Sequence, residues 1–187
     1  MGRATIALRT LAAESPMKLK VVEASEQPWY AEGLSFQCTC SGNCCTGGPG
    51  FVWMSEEEVD RLAAHLGISR EQTLKEYCRK IGKRISLKEN RTPQGNYDCV
   101  FLKLLPVERE KGKVSLPKRV CGIYAVRPLQ CRTWPFWDGN LSSEKAWETS
   151  AKRCPGMNRG KAYTREQIEQ LRDATEWPAE GEAPGSK

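Results

Sequence analysis

Long apolar runs are missing from this chain. No stretch of its 187 residues approaches 18 consecutive apolar positions, which excludes a membrane-spanning helix, and no membrane partner is expected. Histidine is nearly absent, with His65 alone, so a Cys₂His₂ zinc site and a histidine general base are both disfavoured. His65 reads as a plain residue at the edge of a helix face. Phenylalanine is scarce, four against six tryptophans. Glycine (16) and proline (11) are too few and too aperiodic for a fibrous or wholly disordered chain. No H-E-x-x-H, G-x-S-x-G or phosphate-loop pattern occurs. An export signal is not evident either. Arg9 interrupts the apolar run over 4–13, which makes a poor signal core. That segment faintly resembles an amphipathic organellar targeting sequence, but a loose extension is the better reading. Met17 is a second candidate start. The chain is therefore read as cytoplasmic.

What is present in excess is cysteine, nine residues in 187. Reducing compartments keep thiols free, so clustered cysteines in a cytoplasmic chain point to metal or redox chemistry rather than disulfides. Nine is also odd, so a disulfide scheme leaves one thiol over. The formal charge of +6 then needs correcting, because it counts thiols as neutral. Eight thiolates on two zinc ions subtract eight and add four, leaving roughly +2; four on one 4Fe–4S cluster of charge 2+ leave roughly +4. On this reading much of the basicity balances a metal site. The best basic stretch is Arg79-Lys80, Lys83-Arg84, Lys88 and Arg91. It carries no interleaved aromatics, so a nucleic-acid-binding zinc module is only a minority reading.

Three regions are expected: an N-terminal extension over 1–33, an organised domain over 34–177, and a disordered Pro/Gly/Glu tail over 178–187. A short strand over 18–22 fits the extension. In the organised region Ser55-Glu56-Glu57-Glu58 is a capping box, followed by an apolar face of Val59, Leu62, Ala63 and Leu66 and a stop at Gly67. Ser69-Arg70-Glu71-Gln72 opens a second helix, with Leu74, Tyr77, Cys78 and Ile81 inward and Gly82 as the stop. A third follows Ser143, with Ala146, Trp147, Ser150 and Ala151 on one side. A fourth opens at Thr164, with Ile168 and Leu171 inward. Strands are expected over 51–54, 97–102 and 119–124, the last two joined by a polar hairpin connection over 106–118. The fold class is α+β: a small, helix-rich single domain with a short sheet, organised around a cysteine–metal centre.

Cys38, Cys40, Cys44 and Cys45 fall within eight residues on a glycine-rich loop. Glycines let a backbone curl round an ion, and four thiolates satisfy one zinc. Cys99, Cys121, Cys131 and Cys154 are dispersed. Eight candidates exceed one ion, so two metal sites, or one cluster and one zinc, fit better. Adjacent side chains diverge, so Cys44 and Cys45 suit different metals or a bridge. Cys78 is explained by its apolar face as a core residue.

The stretch F-Q-C-T-C-S-G-N-C-C over 36–45, with C-G-I-Y-A-V-R-P-L-Q-C-R-T-W-P over 121–135, resembles the YkgJ-type cysteine-cluster family, the CxxCxxCC zinc- or iron-chelating domain. The resemblance covers about 36–136, and Cys154-Pro155-Gly156 goes with it. It implies binding of zinc or iron, an iron–sulfur cluster included, by Cys38, Cys44, Cys45, Cys99, Cys121, Cys131 and Cys154. The family's second cysteine directly precedes the glycine, where this chain has Ser41, so Cys40 stands one residue early. Some members resemble flagellin lysine N-methylases, which makes an iron–sulfur enzyme the alternative function; no methyl-donor fingerprint is visible here. Arg127 and Arg132 are placed to offset thiolate charge. Arg127-Pro128 reads as a rigid turn fixing the loop of Cys131. Trp134, Phe136 and Trp137 read as a shield for the metal, and Tyr124 as a core residue rather than a sulfur ligand's partner.

Overall fold

A computed structural model of the chain describes residues 27–105, 109–110, 113–114 and 118–174. The expected strand over 18–22 and the tail over 178–187 lie outside the described residues. The architecture is α+β, built from short helices and small antiparallel sheets.

Two hydrophobic clusters organise it. One gathers around the helices Glu56–Leu66 and Arg70–Tyr77. Both carry complete capping boxes, in which Ser55 and Glu58, and Ser69 and Gln72, satisfy each other's backbone N–H groups. Val59 and Leu62 are wholly buried and pack with Met54, Cys78, Leu87, Phe101 and Ile123. A three-stranded sheet of Trp53–Met54, Arg84–Leu87 and Cys78–Ile81 covers this cluster, with Arg84–Leu87 in the middle.

The second helix ends four residues early. At Cys78 the backbone turns extended (φ −117°, ψ 158°), and Cys78–Ile81 forms a hairpin with Arg84–Leu87. Its two-residue loop, Gly82-Lys83, puts glycine at φ 58°, where a tight hairpin wants it. Gly82 is therefore a hairpin turn, not a helix stop. Over four residues an apolar pair at helical spacing cannot be told from a half-buried strand, and pairing with Arg84–Leu87 decided the matter. Cys78 remains a core residue, only 5% exposed, although on a strand.

The other cluster joins the two ends of the described chain. The strand Leu34–Phe36 pairs antiparallel with Lys161–Tyr163. Behind that pair lie Phe136, Leu141, Met157, Trp147 from the helix Glu144–Ala151, and Ile168 from the helix Arg165–Asp173. Ser143 and Thr164 cap these helices as expected. Trp29 and Tyr30, within the stretch read as an extension, join this cluster; the Trp29 indole N–H donates to the Leu141 carbonyl at 2.7 Å.

The expected strand over 97–102 is two elements. Tyr97–Cys99 sits between Thr46–Gly47 and Glu89–Arg91, whereas Leu102–Leu105 pairs with Lys118–Cys121. Between them Phe101 turns into the first cluster, 4% exposed, and stacks on Tyr77. The apolar run thus serves two sheets and a core contact. The hairpin connection is present, with a small Arg109–Glu110/Lys113–Val114 ladder inside it. The strand expected over 119–124 ends at Cys121. Two short helices, Leu129–Thr133 and Asp138–Leu141, had no periodic signal because each is barely a turn long.

Gly156 packs tightly against the backbone at Gln37. A Cβ there would lie 2.1 Å from the Gln37 carbonyl oxygen, and the Gln37 N–H donates to the Gly156 carbonyl at 3.0 Å. Gly156→Ala is expected to pry the Cys38 and Cys154 loops apart at about 1–3 kcal/mol, a melting-temperature loss of roughly 3–10 °C. Gly48→Ala, whose Cβ meets nothing within 4 Å, should leave the melt unchanged. Equal melting of the two variants would contradict the close packing described.

Candidate metal centre

The seam between the two clusters is where the cysteines meet. Cys38 and Cys40 lie on the loop leaving the Leu34–Phe36 strand. Cys44 and Cys45 form the single turn Asn43–Cys45 that follows. Cys99 and Cys121 end the strands Tyr97–Cys99 and Lys118–Cys121, and Cys131 lies on the helix Leu129–Thr133. Cys154 follows the helix Glu144–Ala151. All eight line one cavity of about 70 Å³, and Cys78 does not. Every cysteine is a free thiol. Among the described residues no three His, Cys, Asp or Glu side chains are already drawn together closely enough to hold an ion as they stand.

Local backbone explains how the dense loop reaches the cavity. Gly42 takes a left-handed conformation (φ 69°) where a Cβ would come within 2.9 Å of the Arg119 side chain. Only glycine lets the Cys44-Cys45 turn pack this close to the Lys118–Cys121 strand. Cys40 also adopts a left-handed backbone (φ 54°), uncommon for a residue with a side chain. In that conformation the early cysteine joins the cavity wall despite its displaced register. Asn43 clamps the loop: its amide donates to the Arg153 carbonyl at 2.8 Å and its carbonyl accepts from Arg119 at 2.6 Å.

The sulfurs differ in environment. Cys44 Sγ lies 3.9 Å from Cys45 Sγ, and Cys45 also hydrogen-bonds Cys121. Hydrogen bonds to Cys121 and Cys44 push the Cys45 thiol far up, and the same contacts lower Cys121 to about 6 and Cys44 to about 7. Burial pushes the Cys99 thiol up to about 11 and raises Cys131 further. Across the cavity, the Cys40 N–H and the Trp134 indole N–H point at Cys38 Sγ and Cys154 Sγ, each at 3.4 Å. The Tyr124 hydroxyl hydrogen-bonds Cys38, which with burial pushes the phenol up to about 12. Tyr124 is 41% exposed, so it is a rim residue facing sulfur and not the core residue expected.

The two arginines part company. Arg132 lines the cavity but also lies 3.8 Å from the Glu58 carboxylate. Arg127 stacks on Tyr124, 3.8 Å from the ring centre, and its buried Nε has no hydrogen-bond partner among the described residues. Trp134 lines the thiol cavity and, with Trp137, a neighbouring one of about 230 Å³ that Cys44, Cys45, Cys99 and Cys131 share. Phe136 is ordinary core, 1% exposed.

Two supporting residues were not singled out for the site. Glu58, read only as a helix first turn, is 7% exposed, and its carboxylate accepts the Leu129 N–H at 2.7 Å. It thereby caps the helix of Cys131. Gln130 accepts from the Trp53 N–H at 2.7 Å and donates to the Phe51 carbonyl at 3.0 Å. Both contacts span more than seventy positions, and no local pattern announces them. In the basic stretch Arg79 pairs with Glu89 at 3.0 Å and stacks on Phe51. His65 is exposed in the last turn of its helix.

Sulfur donors drawn from the whole length of a small domain onto one chamber define a cysteine-cluster protein of the metal-chelating type. The family model CxxCxxCC, a putative zinc- or iron-chelating domain, matches residues 37–155, and the chain belongs to that family. No solved structure matches it. Among the described residues no helix is long and apolar enough to cross a membrane.

Proposed function

We propose that this protein binds zinc or iron, either as ions or as an iron–sulfur cluster, through the thiolates of Cys38, Cys40, Cys44, Cys45, Cys99, Cys121, Cys131 and Cys154. The observation that carries the reading is their common cavity, which excludes the ninth cysteine. The donor set suits the metal: soft thiolates favour zinc and iron–sulfur clusters over hard cations. Arg127 supports it too, since a buried, unpaired guanidinium nitrogen beside the sulfurs complements the negative charge of a multi-thiolate site. Binding would draw the thiols inward by side-chain rotation and release their protons. A site of this kind needs reduced sulfur, which favours the cytoplasm.

The iron–sulfur enzyme alternative draws on one observation, the adjoining 230 Å³ cavity with Phe51, Tyr97, Trp134 and Trp137 in its wall. It offers room for a small ligand beside four of the thiols. Anaerobic purification separates the readings. Visible charge-transfer absorption with matching iron and sulfide indicates a cluster, and colourless protein with stoichiometric zinc indicates a chelating or structural role. Cys78→Ala should keep the full metal content, because its thiol faces the core. Protein that is isolated anaerobically without metal and takes up neither zinc nor iron would refute metal binding altogether.

A further inference from the structure

The eight sulfurs are not one even set. Cys99 and Cys121 pack against the cluster of the Glu56–Leu66 helix, whereas Cys38 and Cys154 pack against the cluster that joins the chain ends. Cys45 touches both Cys44 and Cys121. Cys44, Cys45, Cys99 and Cys131 also face the 230 Å³ cavity, which none of Cys38, Cys40 and Cys154 reaches. Those three have different neighbours, the Tyr124 hydroxyl, the Trp134 indole and the Cys40 N–H.

We propose that the chamber holds two metal ions, one on each side of the seam. The inner site uses Cys44, Cys45, Cys99, Cys121 and Cys131; the outer site uses Cys38, Cys40 and Cys154. This rests on the metal-binding reading above. The donor count suits it, because five and three thiolates make two four-coordinate ions when one inner sulfur completes the outer set. The vicinal pair Cys44-Cys45 supplies that crossing sulfur, since neighbouring side chains on one turn diverge.

The two sites should differ in lability. Outer thiolates accept hydrogen bonds from the indole, the phenol and a backbone amide, which draw charge from sulfur and weaken its donation to metal. The inner sulfurs accept as well, from the backbone N–H groups of Phe101 at Cys99 and Ile123 at Cys121, but the outer ion has only three sulfurs of its own and borrows its fourth, so it is expected to leave first.

The test uses the full chain, reduced and demetallated, titrated anaerobically with cobalt(II) alone and followed by its thiolate charge-transfer band. Two equivalents are expected, and a chelator should remove them in two phases. Cys154→Ser should bind one equivalent and lose the fast phase; Cys99→Ser should retain the fast phase. Solubility of the variants does not decide the matter, because wild-type stoichiometry and biphasic release are read without them. One equivalent, or release of both ions in a single phase, overturns this inference while leaving metal binding intact. No cobalt bound overturns the metal-binding reading and this inference with it.

Discussion

Complete removal of metal by a strong chelator is expected to unfold the loaded protein. The two hydrophobic clusters are small, each with seven buried side chains, and the thiol chamber lies on the seam between them. Small cores bury too little surface to be strongly stable alone. Structural zinc contributes on the order of 10 kcal/mol or more in small metal-folded units, while whole domains are stable by about 5–15 kcal/mol. Loss of a metal that bridges both clusters therefore removes a share comparable with the entire stability. Far-UV circular dichroism with rising chelator should show cooperative loss of structure, reversed by zinc. Cys131→Ser is expected to accumulate as insoluble protein, because its helix is anchored through Leu129 to Glu58 and through Gln130 to Phe51 and Trp53. An unchanged melt in chelator would make the metal a passenger rather than a structural element.

Trp147→Ala should be the most damaging substitution outside the cysteines. The indole is 1% exposed, stacks on Phe136 at 5.8 Å, and donates to the Asn158 side-chain Oδ1 at 2.6 Å. Truncation leaves a large cavity and an unpaired amide, a cost of about 3–5 kcal/mol for the cavity. Urea denaturation should show the midpoint fall steeply. Trp147→Phe, which keeps a six-membered ring and loses the pyrrole half with its hydrogen bond, should lose less, near 1 kcal/mol for the bond and a smaller packing loss than the alanine variant. Since Phe136 and Met157 share the cluster that backs Cys38 and Cys154, Trp147→Ala should also weaken metal retention. Equal midpoints for the two variants would mean that the cluster does not depend on the indole's volume.

The helices were legible where local chemistry is loud. Ser55, Ser69, Ser143 and Thr164 announce their helices by capping alone, and each accepts the expected backbone bond. Strand edges were not legible, because a strand's extent depends on its partner. The 97–102 run split because Cys99 pairs with Glu89 while Leu102 pairs with Cys121. The gathering of the cysteines was legible from their density over 38–45 and from the residues around Cys121 and Cys131. What joins them was not: Glu58, Gln130 and Tyr124 act through contacts distant in sequence. Cys40 shows the limit from the other side. Its register argued against it, and an unusual backbone angle brings it to the cavity.

The clamp between Asn43 and the Arg153 carbonyl spans 110 positions. Its consequence concerns timing. A chain is synthesised from its N-terminus, at about 5–20 residues per second. Cys38, Cys40, Cys44 and Cys45 therefore exist for several seconds before Cys154 does. During that interval four thiols are crowded on a loop whose closing partner has not been made, open to oxidation and to the wrong metal. A centre that includes Cys154 can form only after most of the domain has been translated, so its metal would be acquired late. The reducing power of the surroundings during those seconds, as much as the affinity of the completed site, then governs how much protein matures correctly.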